Sequence, residues 1–259
     1  MRFPRALLFA ACGLFVLVAA ASITLSGTYT VPVMMYHHVA VSHPPAADYV
    51  SPENFRRQMA YLKQNGYKVI RMEDLVNGVK AGKTFPPKTV VLSFDDGYID
   101  NYKNAMPVLQ EFGFPAIFFV SPNMTFRDGF MRWSELVHLR KAGFDFGSHG
   151  MTQAYLPGLS AKELEYEVRQ SKRILETRLK MPVRIFAYPV GGFTDDIKAY
   201  MRDSGYLAAA TTNRGKDRFD RDIYEINRIR FSDKDVSNVV LWMKLSGHYN
   251  LFRKLKQPY

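Results

Sequence analysis

The chain has 259 residues, 47% of them hydrophobic, and a formal net charge of +11. That length is enough for a sizeable core, and the single cysteine, Cys12, excludes an intramolecular disulfide. The positive charge comes with no nucleic-acid motif and no interleaving of aromatic and basic residues, so no nucleic-acid partner is expected. A solvated basic surface accounts for the charge; the alternative sets Arg253, Lys254 and Lys256 against an anionic membrane.

Arg2 and Arg5 precede an almost uncharged run from Ala6 to Leu25. As a helix this run would span about 30 Å, one hydrocarbon core. Residues 1–28 therefore read as a membrane anchor or as a cleaved signal peptide, with Ala19-Ala20-Ala21 as the cleavage region. Either reading exports residues 29–259 as one domain, periplasmic or extracellular, with contact to the membrane through the N-terminal segment in the anchored form.

Short apolar runs then alternate with helical patterns. Val31–Tyr36 reads as a first strand. Ser51-Pro52-Glu53 combines a capping serine, a first-turn proline and an early acid, so a helix starts there and ends at Gly66. Tyr67–Ile70 is a strand and Glu73–Lys80 a helix. Thr89–Phe94 is continuously apolar apart from its hydroxyls, as expected of a strand buried on both faces. A helix over Tyr102–Phe112 follows, then a strand at Ala116–Val120, a helix at Trp133–Lys141 and a short strand at Phe144–Phe146. Ser160 and Glu163 form a capping-box pattern at the head of the longest helix, which runs to Leu179. Val183–Ala187, Tyr206–Ala210 and Tyr224–Phe231 complete the strands, with a helix from Thr194 to Asp203. Regular alternation implies an α/β fold with a parallel sheet, and the number of units favours an incomplete barrel. In barrels, functional residues follow the carboxyl ends of strands.

Polar residues do stand at those ends. His37 and His38 follow Tyr36, Asp95 and Asp96 follow Phe94, Ser148 and His149 follow Phe146, and Tyr188 and Pro189 follow Ala187. Two adjacent carboxylates on a turn point in different directions, so one can bind a cation while the other accepts a proton from water. Asp-Asp-Gly is also a common turn, and the tripeptide alone does not decide between capping and catalysis.

The segments as a set resemble the polysaccharide deacetylases, the NodB-homology or carbohydrate esterase family four. Leu92-Ser93-Phe94-Asp95-Asp96-Gly97 is similar to the family's Thr-Phe-Asp-Asp-Gly motif. Gly147-Ser148-His149 resembles the start of its His-Ser/Thr-x-x-His motif, and Phe186–Gly191 its third motif. Met35-Tyr36-His37-His38-Val39 resembles the Met-Tyr-His segment of members that act on poly-N-acetylglucosamine. The resemblance implies a distorted (β/α)7 barrel and metal-dependent deacetylation of an N-acetylhexosamine polysaccharide. It implies Asp95 as catalytic base, and Asp96 with His149 on a divalent metal, zinc or a harder cation. It also implies the Val190 amide as oxyanion donor and Tyr188 and Pro189 as substrate-binding neighbours. The family's base-orienting arginine position is occupied by Ala187, so Arg228 is the expected substitute.

The pattern breaks four residues after His149, where the second metal histidine is replaced by Gln153. An amide oxygen is a weak neutral ligand better suited to harder cations. Gln153 ligates through its oxygen, or His37 fills the gap from a facing strand, or the site no longer binds metal and the chain is a glycan-binding pseudoenzyme. The family's last motif, which supplies the general acid, is not clear either, and His37 is the candidate for that role. Tyr98, Trp133 and Tyr188 are candidates for stacking on sugar rings, with core packing as the alternative. His43, His138 and His248 read as surface or structural residues.

Overall fold

The computed structural model describes residues 29–44, 46–212, 217 and 220–253. The N-terminal apolar run lies outside the described residues, and among those described no helix is long and apolar enough to cross a membrane.

Among the described residues, ten strands form in chain order: β1 (Val33–Tyr36), β2 (His38–Val39), β3 (Tyr49–Val50), β4 (Lys68–Val69), β5 (Thr89–Phe94), β6 (Ile117–Val120), β7 (Asp145–Ser148), β8 (Ile185–Ala187), β9 (Ala208–Thr211) and β10 (Ile226–Arg230). The main sheet runs β1-β10-β9-β8-β7-β6-β5, all parallel, and β1 pairs back onto β5. This closes a seven-stranded barrel. The seven-stranded barrel that the resemblance implies is present, and the incompleteness expected from the number of units is corrected by the pairing of β1 with β5. Val91–Phe94 of β5 pair with β1 along one edge. The other edge of β5 takes β4 at Thr89 and Val90 and then β6 at Ser93 and Phe94, so β4 hangs outside the closed ring. A small separate pair, β2 with β3, stands beside the loop after β1.

Side chains alternate across the barrel wall, as strand geometry requires. Val33, Val91, Ile117, Phe119, Ile185, Ala187, Ala208, Ala210 and Ile226 belong to one buried cluster, the barrel lining. Tyr36, Leu92, Phe94, Phe118, Phe186 and Tyr206 belong to a second, where the sheet packs on its helices. The lining is asymmetric in size: β9 contributes alanines, and Gly147 on β7 contributes no side chain at all. A Cβ on Gly147 would fall 2.3 Å from the Phe119 ring. Glycine therefore leaves the space that Phe119 fills, a close approach of the kind that places glycine inside a strand.

Two helices bend through π-type turns that serve the rim. Asn101–Ala105 opens the helix ending at Phe112, and Glu165–Gln170 interrupts the long helix that starts at Ala161. The capping box at Ser160 forms as its sequence implies. The Ser51 cap also forms, and Asp233 reinforces it by accepting from the Ser51 amide at 2.8 Å.

Candidate active site

Because every barrel strand is parallel, the residues after each strand share one rim. They border a cleft of about 600 Å³ lined by His37, Asp95, Asp96, His149, Gln153, Tyr188, Pro189, Val190 and Arg228, together with Met35, Thr212, Arg230 and Arg253. The expected catalytic, cation-binding and substrate-binding residues line this one cleft; of the stacking candidates, Tyr98 and Trp133 are not in its lining.

The deepest part is an ion pair. Arg228 donates through both terminal nitrogens to Asp95, 2.5 Å to Oδ1 and 2.7 Å to Oδ2. Arg228 is 1% exposed and Asp95 2%. A forked guanidinium fixes the carboxylate plane, which a lysine would not do. The guanidinium carbon in turn lies 5.2 Å from the centre of the Phe119 ring. The support therefore runs from Gly147 through Phe119 to Arg228 and then to Asp95. Burial raises the pKa of Asp95, but the Arg228 charge, followed by that of His149, outweighs burial and leaves the carboxyl below its ordinary value.

Asp96 sits on the other arm of the turn. Its φ of +70°, next to Gly97 at +79°, is left-handed, a region that aspartate tolerates better than most residues. The His149 Nδ1 lies 2.8 Å from the Ala187 carbonyl, which only an N–H can satisfy. Nε2 is then the free nitrogen, and it faces Asp96 Oδ1 at 3.4 Å. A lone pair and a carboxylate so opposed call for positive charge between them, a proton or a cation. Burial lowers the pKa of His149, but its hydrogen bond to Asp96 and the charge of Asp95 outweigh that and raise it.

The loop carrying Gln153 is tightly held. Glu167, projected from the π-type turn, accepts from the amides of Met151 at 2.7 Å and Thr152 at 3.0 Å and from the Thr152 hydroxyl at 2.5 Å. Gln153 itself takes a φ of +65°, and its amide nitrogen donates to the Asp96 carbonyl at 3.4 Å. Among the described residues no cluster of three His, Cys, Asp or Glu side chains is placed to hold a metal. The donor set is one carboxylate, one correctly oriented imidazole and one neutral amide. It fits a divalent cation that keeps part of its water shell.

His37 lines the cleft, and its Nδ1 is buried without a hydrogen-bond partner. Burial lowers its basicity more than the Asp95 and Asp96 charges raise it. Asn101, in the other π-type turn, holds the His37 carbonyl at 2.7 Å. Val190 adopts a φ of +58°, costly for a β-branched residue, and exposes 72% of its surface at the cleft edge.

The stacking role expected for Tyr188 is corrected. Its ring is 1% exposed, stacks on Phe193 and donates through its hydroxyl to the Tyr224 carbonyl. Trp133 lies away from the cleft, beside Arg178 in a separate pocket. Tyr98 stacks on His38, with ring centres 3.5 Å apart, and His38 contacts Asp100 at 2.6 Å. Glu167, Phe119, Thr212, Arg230 and Arg253 were not foreseen at the site. A glycine inside a buried strand, Gly147, was the one available signal for the Phe119 support.

The family model described as Polysaccharide deacetylase matches residues 82–209. YxkH of Bacillus subtilis (strain 168) is 26% identical over 201 residues, 78% of this chain and 71% of that one. The poly-β-1,6-N-acetyl-D-glucosamine N-deacetylase of Staphylococcus epidermidis is 27% identical over 198 residues, 71% of this chain and 68% of that one. Among solved structures, the Streptococcus pyogenes deacetylase PplD in complex with acetate is similar at a TM-score of 0.77 and 25% identity, over 83% of this chain and 97% of that chain.

Proposed function

The chain belongs to the polysaccharide deacetylase family, and we propose that it hydrolyses N-acetyl groups from an exported N-acetylhexosamine polymer of the poly-N-acetylglucosamine type. The observation that carries this reading is the Asp95–Arg228 fork at the floor of the cleft, with Asp96 and the free His149 Nε2 facing the same space. The acetate bound by the Streptococcus pyogenes relative is the product such a reaction releases.

Water adds to the acetyl carbonyl carbon and gives its proton to Asp95. The Val190 N–H supports the oxyanion, a role open to any side chain because the donor is backbone. The C–N bond then breaks, the nitrogen takes a proton, and acetate and a free amine leave. His37 enters this cycle neutral, because burial lowers its basicity. To act as the acid it must first receive the proton that Asp95 took from water. Asp95 is fully ionised at neutral pH, yet its lowered pKa makes it a weak base. Asp96 and His149, with Gln153 beside them, would hold a divalent cation, zinc or a harder ion, which when bound acidifies water and polarises a carbonyl.

The test is acetate release from N-acetylglucosamine oligomers in the presence of added divalent metals. Asp95→Asn is expected to reduce it by about 10²–10⁴-fold. Gln153 in place of an imidazole favours a second reading, glycan binding without turnover. Oligomer binding with no acetate under any added metal would select that reading.

A further inference from the structure

One surface of the molecule has no part in this chemistry. From Val236 to Met243 the chain carries no charged residue, and Lys234 and Lys244 flank that stretch. Its helix, Asn238–Lys244, turns Leu241 inward, with Leu245 following it into the core. The opposite side is apolar as well: Val236 is 63% exposed, Val239 70%, Trp242 62% and Met243 43%. The acid within reach is spent, since Asp235 is buried and pairs with Lys244 at 2.5 Å. An exposed cluster of valine, methionine and tryptophan, with Lys234 exposed at one end and Lys244 neutralised by Asp235 at the other, is the composition of an interfacial segment.

The position of the N-terminal segment indicates what covers it. The Thr30 amide donates to the Gly247 carbonyl at 2.8 Å, and the Tyr29 ring meets His248 edge-on at 5.9 Å. A Cβ on Gly247 would fall 2.1 Å from the Tyr29 ring, so glycine permits this close seat. The chain leaving the apolar run at Leu25 is thus pinned three residues past the end of the exposed helix. Three residues lie between Leu25 and Tyr29, so the four steps from one to the other reach at most about 14 Å.

We infer that the Val236–Met243 face docks on the lipid bilayer in which residues 1–28 are anchored, with Trp242 inserted at the interface. This rests on the anchored form of the N-terminal segment, and it is independent of the catalytic reading. The domain is then held to the membrane at two neighbouring points, which restricts its tumbling beneath a fixed tether. Tryptophan suits the second point because its ring is apolar and its N–H remains among headgroups.

The chain has two tryptophans, Trp133 and Trp242, so Trp133→Phe makes Trp242 the sole indole. The full-length variant is reconstituted into phosphatidylethanolamine–phosphatidylglycerol vesicles with plain or brominated acyl chains. Insertion to the depth of interfacial helices should lower Trp242 emission by roughly half in the brominated vesicles. The Trp242→Phe protein, which keeps Trp133, should show no such loss. An unquenched Trp242 in protein that co-sediments with the vesicles would overturn the inference. So would blue-shifted but unquenched emission, which would mean that protein covers the patch. Recovery of a chain lacking residues 1–28 from the expressing cells would remove its basis.

Discussion

The two aspartates of one turn lead opposite lives. Asp95 is saturated: both oxygens are taken by a buried guanidinium, which rests on Phe119 in space left by Gly147. Asp96 is sparser: it faces one imidazole nitrogen at 3.4 Å and the Tyr98 hydroxyl, and has an amide where the resemblance implies a second histidine. In the proposed reaction, the base side of the site is therefore preorganised by the fold itself. The cation side depends on a ligand that two strong donors and Gln153 hold less firmly than three would. Preorganised electrostatics supply most of a typical rate enhancement, so the intact base side argues for retained chemistry. The thin cation side argues that this chemistry is limited by occupancy.

Asp95→Asn attacks the saturated side and carries the largest effect. Acetate release should fall by about 10²–10⁴-fold, with divalent-metal binding measured on the same protein unchanged. Equal loss of both would mean that the two sides are not separable. Arg228→Lys keeps the charge but removes the fork. A charged hydrogen bond is worth about 1.5–3 kcal/mol, so the rate should drop by one to two orders of magnitude. The acid limb of the pH–rate profile should move upward, because the group that depresses Asp95 is weakened. An unmoved limb would detach Arg228 from the base.

Gln153→His reinforces the sparse side. Replacing a neutral amide by imidazole should raise zinc affinity by about tenfold or more, read by competition with a chelating dye. No gain would show that the loop held by Glu167 does not present this position to a cation. The smallest effect is in acid stability. The folded pKa of Asp95 lies below its unfolded value of about 3.9, so its contribution is present above that value. It is lost as pH falls through the depressed folded pKa. The stability difference between the wild-type protein and Asp95→Asn, measured by urea unfolding, should stay constant down to about pH 4 and then shrink.

Much of this arrangement is legible in the sequence. Thr89–Phe94 and Trp133–Lys141 have the bounds their patterns imply, because a continuous apolar run and a well-phased amphipathic stretch leave little choice. Asp95, Asp96 and His149 stand out as strand-end residues, and Val190 enters through the resemblance. Arg228 was placed only through the resemblance, as the substitute for the family's base-orienting arginine, whose position Ala187 occupies. The resemblance implied the barrel, but its closure was not legible in the patterning: that β5 takes β4 and then β6 on one edge and β1 on the other is a matter of register between distant segments. Neither π-type turn shows in the sequence, since one extra residue scarcely disturbs a helical pattern, and with that turn Glu167 was hidden as one acid among many on a long helix. Tyr188 misled because its motif neighbours line the cleft while its own ring turns into the core.

The central claim is that a preorganised base works beside a lightly held cation. Its most direct test is to measure metal content and acetate release on one preparation while titrating zinc into chelator-treated protein. Acetate release should rise in step with occupancy, and His149→Ala should lose both. Full occupancy with no acetate from N-acetylglucosamine oligomers, or acetate release indifferent to occupancy, would contradict that claim.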